Sequence, residues 1–272
     1  MLSDITLGQY FPAKSLMHRA DPRLKICLTI FAIVLIFTAG NFFSLAVAVG
    51  YIALGIALSN IPLKLYLRSL KPILFIIVFT AALNIFYGAG EPIWQWGILK
   101  ITKTGLLNSL FVSIRIVVLI LASSVLTFTT SPTQLTDAIE RLLRPLGKLG
   151  VPVHEFAMMM TIALRFVPLL LEETDKIMSA QKARGADMES GGVIQRIKAL
   201  VPVLIPLFVS AFRRAFDLAT AMESRCYHGG EGRTKMKVLR FSGVDWLVIG
   251  SAVLVLGAFI ALNLAFPPTI VR

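Results

Sequence analysis

Two arginines are the residues best placed to act on another molecule. Arg184 stands in Ala183-Arg184-Gly185 and Arg225 in Ser224-Arg225-Cys226. Each lies at the charged far end of a long segment that begins apolar. A cation near a helix C-terminus is favoured by the macrodipole. Small neighbours also leave the guanidinium free to enter a groove and grip a carboxylate through paired N–H donors. Two equivalent ends on two similarly built segments therefore point to docking on a partner. Arg115 and Arg165 are of another kind, because each sits inside an apolar run. For Arg115, near the middle of a span, the charge costs at least about 2.5 kcal/mol. It is expected to snorkel or to bond neighbouring backbone, with a partner-facing polar contact as the alternative. Arg165 is expected to need a carboxylate, either Asp217 or Glu172.

No catalytic constellation accompanies these arginines. His18, His154 and His228 are scattered at the flanks of apolar segments and read as solvated interfacial residues. Cys27 and Cys226 lie far apart in unlike contexts, so neither a metal cluster nor a disulfide framework is expected. Gly229-Gly230-Glu231-Gly232-Arg233-Thr234-Lys235 has the wrong spacing for a phosphate-cradling loop and reads as a helix stop followed by a flexible loop. The expectation is a chain with no catalytic residues, no metal and no cofactor of its own. Any ATP-driven role must borrow its engine from another subunit.

The elements that carry these residues are set by composition. Of 272 residues, 56% are hydrophobic and only 15% charged, with a mean hydropathy of +0.79. A soluble chain carries about 25% charged residues. An all-α integral membrane protein is expected, which excludes a soluble enzyme and a secreted disulfide scaffold. Five apolar runs can each supply the roughly 20 residues of a spanning helix. They are placed at about 24–39, 42–60, between Lys71 and Glu91, at about 106–129, and from Asp245 to Phe266. Asp21-Pro22 offers an N-cap carboxylate and a proline at the first helical position. Glu91 to Gly97, with Trp94 and Trp96, reads as an outer loop with interfacial aromatics. Of the 27 Lys and Arg, 23 fall on one side of this alternation. By the positive-inside rule that side is cytoplasmic, with the N-terminus on it and the C-terminus outside. The net charge of +12 is thus an orientation signal, and no nucleic-acid partner is expected.

The resulting layout is a cytoplasmic N-terminal segment (1–23), four spans (24–130), a long cytoplasmic or interfacial insert (131–242), and a last span with an outer C-terminus (243–272). Within the insert a first helix is expected near 132–148, a second at about 153–187 and a third at about 193–227. The apolar stretches of the second and third are short and contain Pro168, Pro202 and Pro206. Such stretches suit re-entrant, interfacial or protein-buried helices better than full spans.

The chain resembles the transmembrane coupling subunits, EcfT, of energy-coupling factor transporters, which are ABC importers of vitamins and some metal ions. The resemblance covers nearly the whole chain. It is carried by His18-Arg19-Ala20-Asp21-Pro22-Arg23-Leu24-Lys25, by Ala163-Leu164-Arg165-Phe166-Val167-Pro168 with Glu172-Glu173-Thr174, by Gln181-Lys182-Ala183-Arg184-Gly185, and by Ala221-Met222-Glu223-Ser224-Arg225-Cys226-Tyr227. The family pattern has two Ala-Arg-Gly-like tripeptides, each docking on one ATPase. Arg184 matches outright. Arg225 keeps the arginine, but Ser224 and Cys226 flank it.

The resemblance implies a non-catalytic adaptor at the cell membrane, built around two long crossed coupling helices. It would pass motion from two cytoplasmic ABC-type ATPases, identical or not, to a small membrane-embedded substrate-binding subunit. The ATPase-docking residues would be Ala183, Arg184, Gly185, Ser224, Arg225 and Cys226. Phe156, Met159, Val203 and Leu207, in the uncharged stretches, would offer surface to the substrate-binding subunit, with membrane lipid around the spans. A self-contained secondary transporter is the alternative. It fits less well, because four of the five spans contain no ionisable residue between their ends.

Overall fold

The computed structural model describes residues 10–86, 92–96, 99–186, 192–230, 239 and 241–266. The described residues fall into two compact units, one within 10–138 and 239–266, the other within 139–230.

The larger unit is helical because its apolar runs must satisfy their backbone groups internally in lipid. A short turn of helix, α1 (Leu16–Arg19), leads to α2 (Pro22–Thr38), α3 (Phe42–Ser59), α4 (Leu63–Leu70), α5 (Leu74–Phe86), α6 (Lys103–Thr129) and, after the second unit, α10 (Gly243–Ala265). The start of α7 (Pro132–Leu143) also belongs here. Caps fix where these helices begin. The Asp21 carboxylate accepts from the Arg23 backbone N–H at 2.9 Å, as its position before Pro22 predicts. Asn41 and Ser44 form a capping box on α3, and Thr102 caps α6.

The core of this unit lies among α2, α3, α6 and α10, with Leu35, Ile36, Leu45, Phe111 and Phe259 at its centre. Ala32, Ala39, Ala48 and Ala122 lie in the same cluster, where small side chains let helix backbones approach. Polar ties close both ends. At one end the Asp245 carboxylate accepts from the Asp21 N–H (2.8 Å) and the Ser242 N–H (2.7 Å), while Lys25 Nζ donates to the Thr129 carbonyl (3.0 Å). At the other, Asn41 Nδ2 donates to the carbonyls of Leu262 and Phe266.

The smaller unit holds the end of α7, a 3-10 turn (Arg144–Leu149), α8 (Val153–Ala183) and α9 (Val193–Glu223). Among the described residues, only Ala157 on α8 and Val203 on α9 are buried, Val203 at 3% exposed.

All five expected spans are helices, and the protein is an all-α membrane protein in class. One local expectation is corrected. Pro92–Trp96 is not a loop but strand β1, paired antiparallel with β2 (Leu99–Thr102), since β-branched and aromatic residues favour extended backbone. Glu91 and Gly97 lie outside the described residues. The basic connection between spans two and three is itself helical: α4 and a 3-10 turn (Lys71–Ile73) run directly into α5. As the two long insert helices were expected to do, α8 and α9 run through Pro168, Pro202 and Pro206 without a break. α8 and α9 are continuous over 31 residues each, long and apolar enough to cross a membrane by length and composition. Each proline costs its helix one backbone hydrogen bond, which the long flanking runs absorb.

Candidate functional site: two arginine-tipped helix ends

The smaller unit is organised around one polar clamp. Glu173 of α8 receives Arg214 Nη2 of α9 at 2.7 Å, and the Ser210 hydroxyl donates to its other oxygen. Farther along, Gln181 Nε2 donates to the Pro202 carbonyl at 3.3 Å. As α8 advances from 173 to 181, its partner on α9 retreats from Ser210 and Arg214 to Pro202, so the two helices run antiparallel. Arg184 lies eleven residues past Glu173, and Arg225 eleven residues past Arg214. At 1.5 Å per residue each arm is about 16 Å long. The two arginines thus end matched arms that leave the clamp in opposite directions.

The ends themselves share one backbone geometry. At the first, the Gly185 N–H donates to the Lys182 carbonyl (3.0 Å), the Ala186 N–H donates to the Gln181 carbonyl (3.0 Å), and Gly185 is left-handed with φ +84°. At the second, the Cys226 N–H donates to the Glu223 carbonyl (2.9 Å), the Tyr227 N–H donates to the Met222 carbonyl (3.1 Å), and Cys226 is left-handed with φ +56°. Both are Schellman stops, which close the last carbonyls of a helix through one left-handed residue. In both, the arginine immediately precedes that residue. Ala183, Arg184, Gly185, Ser224, Arg225 and Cys226 are all exposed. No ion pair or side-chain hydrogen bond holds either guanidinium among the described residues.

The surroundings of the two ends differ. Past Arg225 the chain folds back on the start of α8, where Gly230 lies so close to His154 that an added Cβ would meet the ring at 2.4 Å. His154 is no solvated interfacial residue: its Nδ1 is 3.0 Å from Glu140 Oε1, an i to i+14 pair joining α7 to α8. At the Arg184 end, no described residue beyond its chain neighbours comes within 4 Å of where a Cβ on Gly185 would sit.

The remaining expected residues divide. Phe156 and Met159 are exposed (57% and 53%), and Leu207 is partly so. Val203 is buried and presents no free surface, because it faces inward on α9 where its apolar side chain can pack. Arg165 pairs with neither Asp217 nor Glu172 among the described residues. It is exposed, which removes the need for a buried counter-charge. The carboxylate that matters on α8 is Glu173, one residue beyond the expected candidate. Arg115 Nη2 donates to the Ala39 carbonyl at 2.7 Å and its guanidinium lies 4.7 Å from the Phe111 ring centre, the backbone bond that was expected. Sequence reasoning missed the clamp. Its signal was the change from apolar to charged residues at Glu172-Glu173 and at Arg213-Arg214, which brings opposite charges to the same depth of the two helices. No group of His, Cys, Asp and Glu suited to a metal occurs among the described residues.

Residues 13–236 match the family model CbiQ, described as cobalt transport protein. The chain is 53% identical over 266 residues to the energy-coupling factor transporter transmembrane protein EcfT of Ruminiclostridium cellulolyticum, covering 98% of this chain and all of that one. It is 52% identical to the EcfT of Acidaminococcus fermentans, over 96% of this chain and 98% of the relative. It is 48% identical to that of Bacillus subtilis, over 93% and 96%. Matched nearly end to end by such relatives, the chain belongs to the EcfT family of energy-coupling factor transporter transmembrane proteins.

Proposed function

We propose that this chain is the energy-coupling subunit of an ECF-type ABC importer at the cell membrane. Two cytoplasmic ATPases bind its arginine tips, one at Arg184 and one at Arg225, and hold the ATP. Their closure and opening moves the arms of α8 and α9. The helices pass that motion to a small membrane-embedded subunit that binds a vitamin or related micronutrient. The observation that carries this reading is the pair of equal arms, each ending in an exposed arginine on the same type of helix stop and joined by the clamp at Glu173. A lever needs two loaded ends and a fixed relation between them, and this arrangement supplies both.

Several features support the finer points. Exposed Phe156 and Met159, with Leu207, are the surface for the substrate-binding subunit. The bias of Lys and Arg supports a cytoplasmic N-terminus and an outer C-terminus. The test is purification of the tagged chain from its own membranes in mild detergent, with mass spectrometry of what elutes with it. Two ABC-type ATPases and a small hydrophobic protein are expected. Elution of the chain alone, from cells whose other membrane complexes survive the same treatment, would overturn the adaptor role.

A further inference from the structure

The strongest unassigned feature is α4, which presents three distinct faces. One is anchored: Tyr66 is 1% exposed, its hydroxyl lies 3.0 Å from Ser59 Oγ, and its ring meets Phe128 edge-on at 5.2 Å. On the same face Ser69 Oγ lies 3.1 Å from Ser124 Oγ on α6. The second face is apolar yet open, with Leu63 62% and Leu67 57% exposed, and Leu74 continues it at 57% into α5. The third is basic: Lys64 and Arg68 stand at i and i+4, and Lys71 continues the row at the start of the 3-10 turn, all exposed. At 100° per residue the basic row lies beside the open leucine row and away from the anchored face.

These cations have no acidic neighbour in the sequence around them. Between Asp21 and Glu91 the sequence contains no acidic residue. Among the described residues, none of the three side chains makes an ion pair or hydrogen bond. A row of unpaired cations beside an open apolar row, at the end of a spanning helix, is complementary to one environment. It matches the layer where lipid phosphates lie next to acyl chains. The pins at Tyr66 and Ser69 keep the helix from rolling, so the two rows meet that layer in a fixed orientation.

We propose that α4 is a docking surface for anionic phospholipid, with Lys64, Arg68 and Lys71 binding headgroup phosphates while Leu63 and Leu67 enter the acyl layer. This goes beyond a general orientation signal, because it assigns lipid selectivity to one pinned surface. It is also independent of the coupling role.

The test uses the full chain in nanodiscs of phosphatidylcholine alone or mixed with phosphatidylglycerol, and native mass spectrometry of the lipid retained. Wild type should retain phosphatidylglycerol in preference to phosphatidylcholine, and should lose that preference in high salt. The variant carrying Lys64→Gln, Arg68→Gln and Lys71→Gln should show about a ten- to hundredfold weaker preference. An equal retention of both lipids by wild type would overturn the proposal, as would an undiminished preference in the variant. If the variant kept its preference but lost a co-purifying protein, the surface would belong to that protein and the proposal would fall. Should the variant fail to insert, backbone amide exchange of residues 63–73 in wild type decides. Protection that rises with phosphatidylglycerol is expected, and protection indifferent to it would contradict the assignment.

Discussion

The two arginine tips reach one geometry with different residues. At the Arg184 end the left-handed position is filled by glycine, at no steric cost; at the Arg225 end it is filled by Cys226. A left-handed conformation costs a non-glycine residue about 1–2 kcal/mol, so something must hold the second end in shape. The structure offers a brace, since the chain beyond Cys226 packs through Gly230 against His154, itself paired with Glu140. The first end relies on glycine, with no described residue against it. A tripeptide pattern therefore understates the likeness of the two tips. What they share is an exposed arginine one residue before a left-handed helix stop.

The largest effect expected from breaking this symmetry comes from both arginines at once. The double variant Arg184→Glu, Arg225→Glu places carboxylates where acidic partner grooves would lie. Losing the arginine of a buried ion pair costs about 3–5 kcal/mol per end, so ATPase binding should vanish in a pull-down while the membrane unit still purifies folded. Next comes the link between the arms. Arg214→Glu sets two carboxylates against each other at the clamp. Spin labels near the two tips should report a wider spread of distances, and transport should fall several-fold with both ATPases still bound. Loss of an ATPase in that variant would mean the clamp is part of a docking site instead.

Smaller effects should separate the two stops. Gly185→Ala forces a Cβ into the left-handed region and should lower stability of the Arg184 end by about 1 kcal/mol, read as faster amide exchange at Ala186. Cys226→Gly relieves the corresponding strain and should slow exchange at Tyr227, by at most a few-fold. Exchange unchanged in both variants would mean that the left-handed residues do not set the stability of either end.

Much of this was legible in the sequence. Charge density and run length were enough for the membrane class and for helices at all five expected spans, because a bilayer leaves the backbone few choices. The ends of α8 and α9 were legible as well, since each long apolar run turns charged before its arginine and the helix stops there. Other features were not. The clamp joins Glu173 to Arg214 across 41 positions, and one sequence does not reveal which of several carboxylates faces which cation. Arg165, in an apolar run, looked as if it needed a partner, yet it lies on an exposed face. The left-handed turn at Cys226 carried no glycine to announce it, and Val203 looked like surface because apolar residues on a membrane helix can face protein or lipid alike.

The central claim is one ATPase per arginine. Its most direct test is the number of ATPase subunits that purify with Arg184→Glu and with Arg225→Glu, measured separately against wild type by native mass spectrometry. The account predicts two for wild type, and for each single variant the loss of the ATPase docked at the altered end. Two firmly bound ATPases in either variant would contradict it.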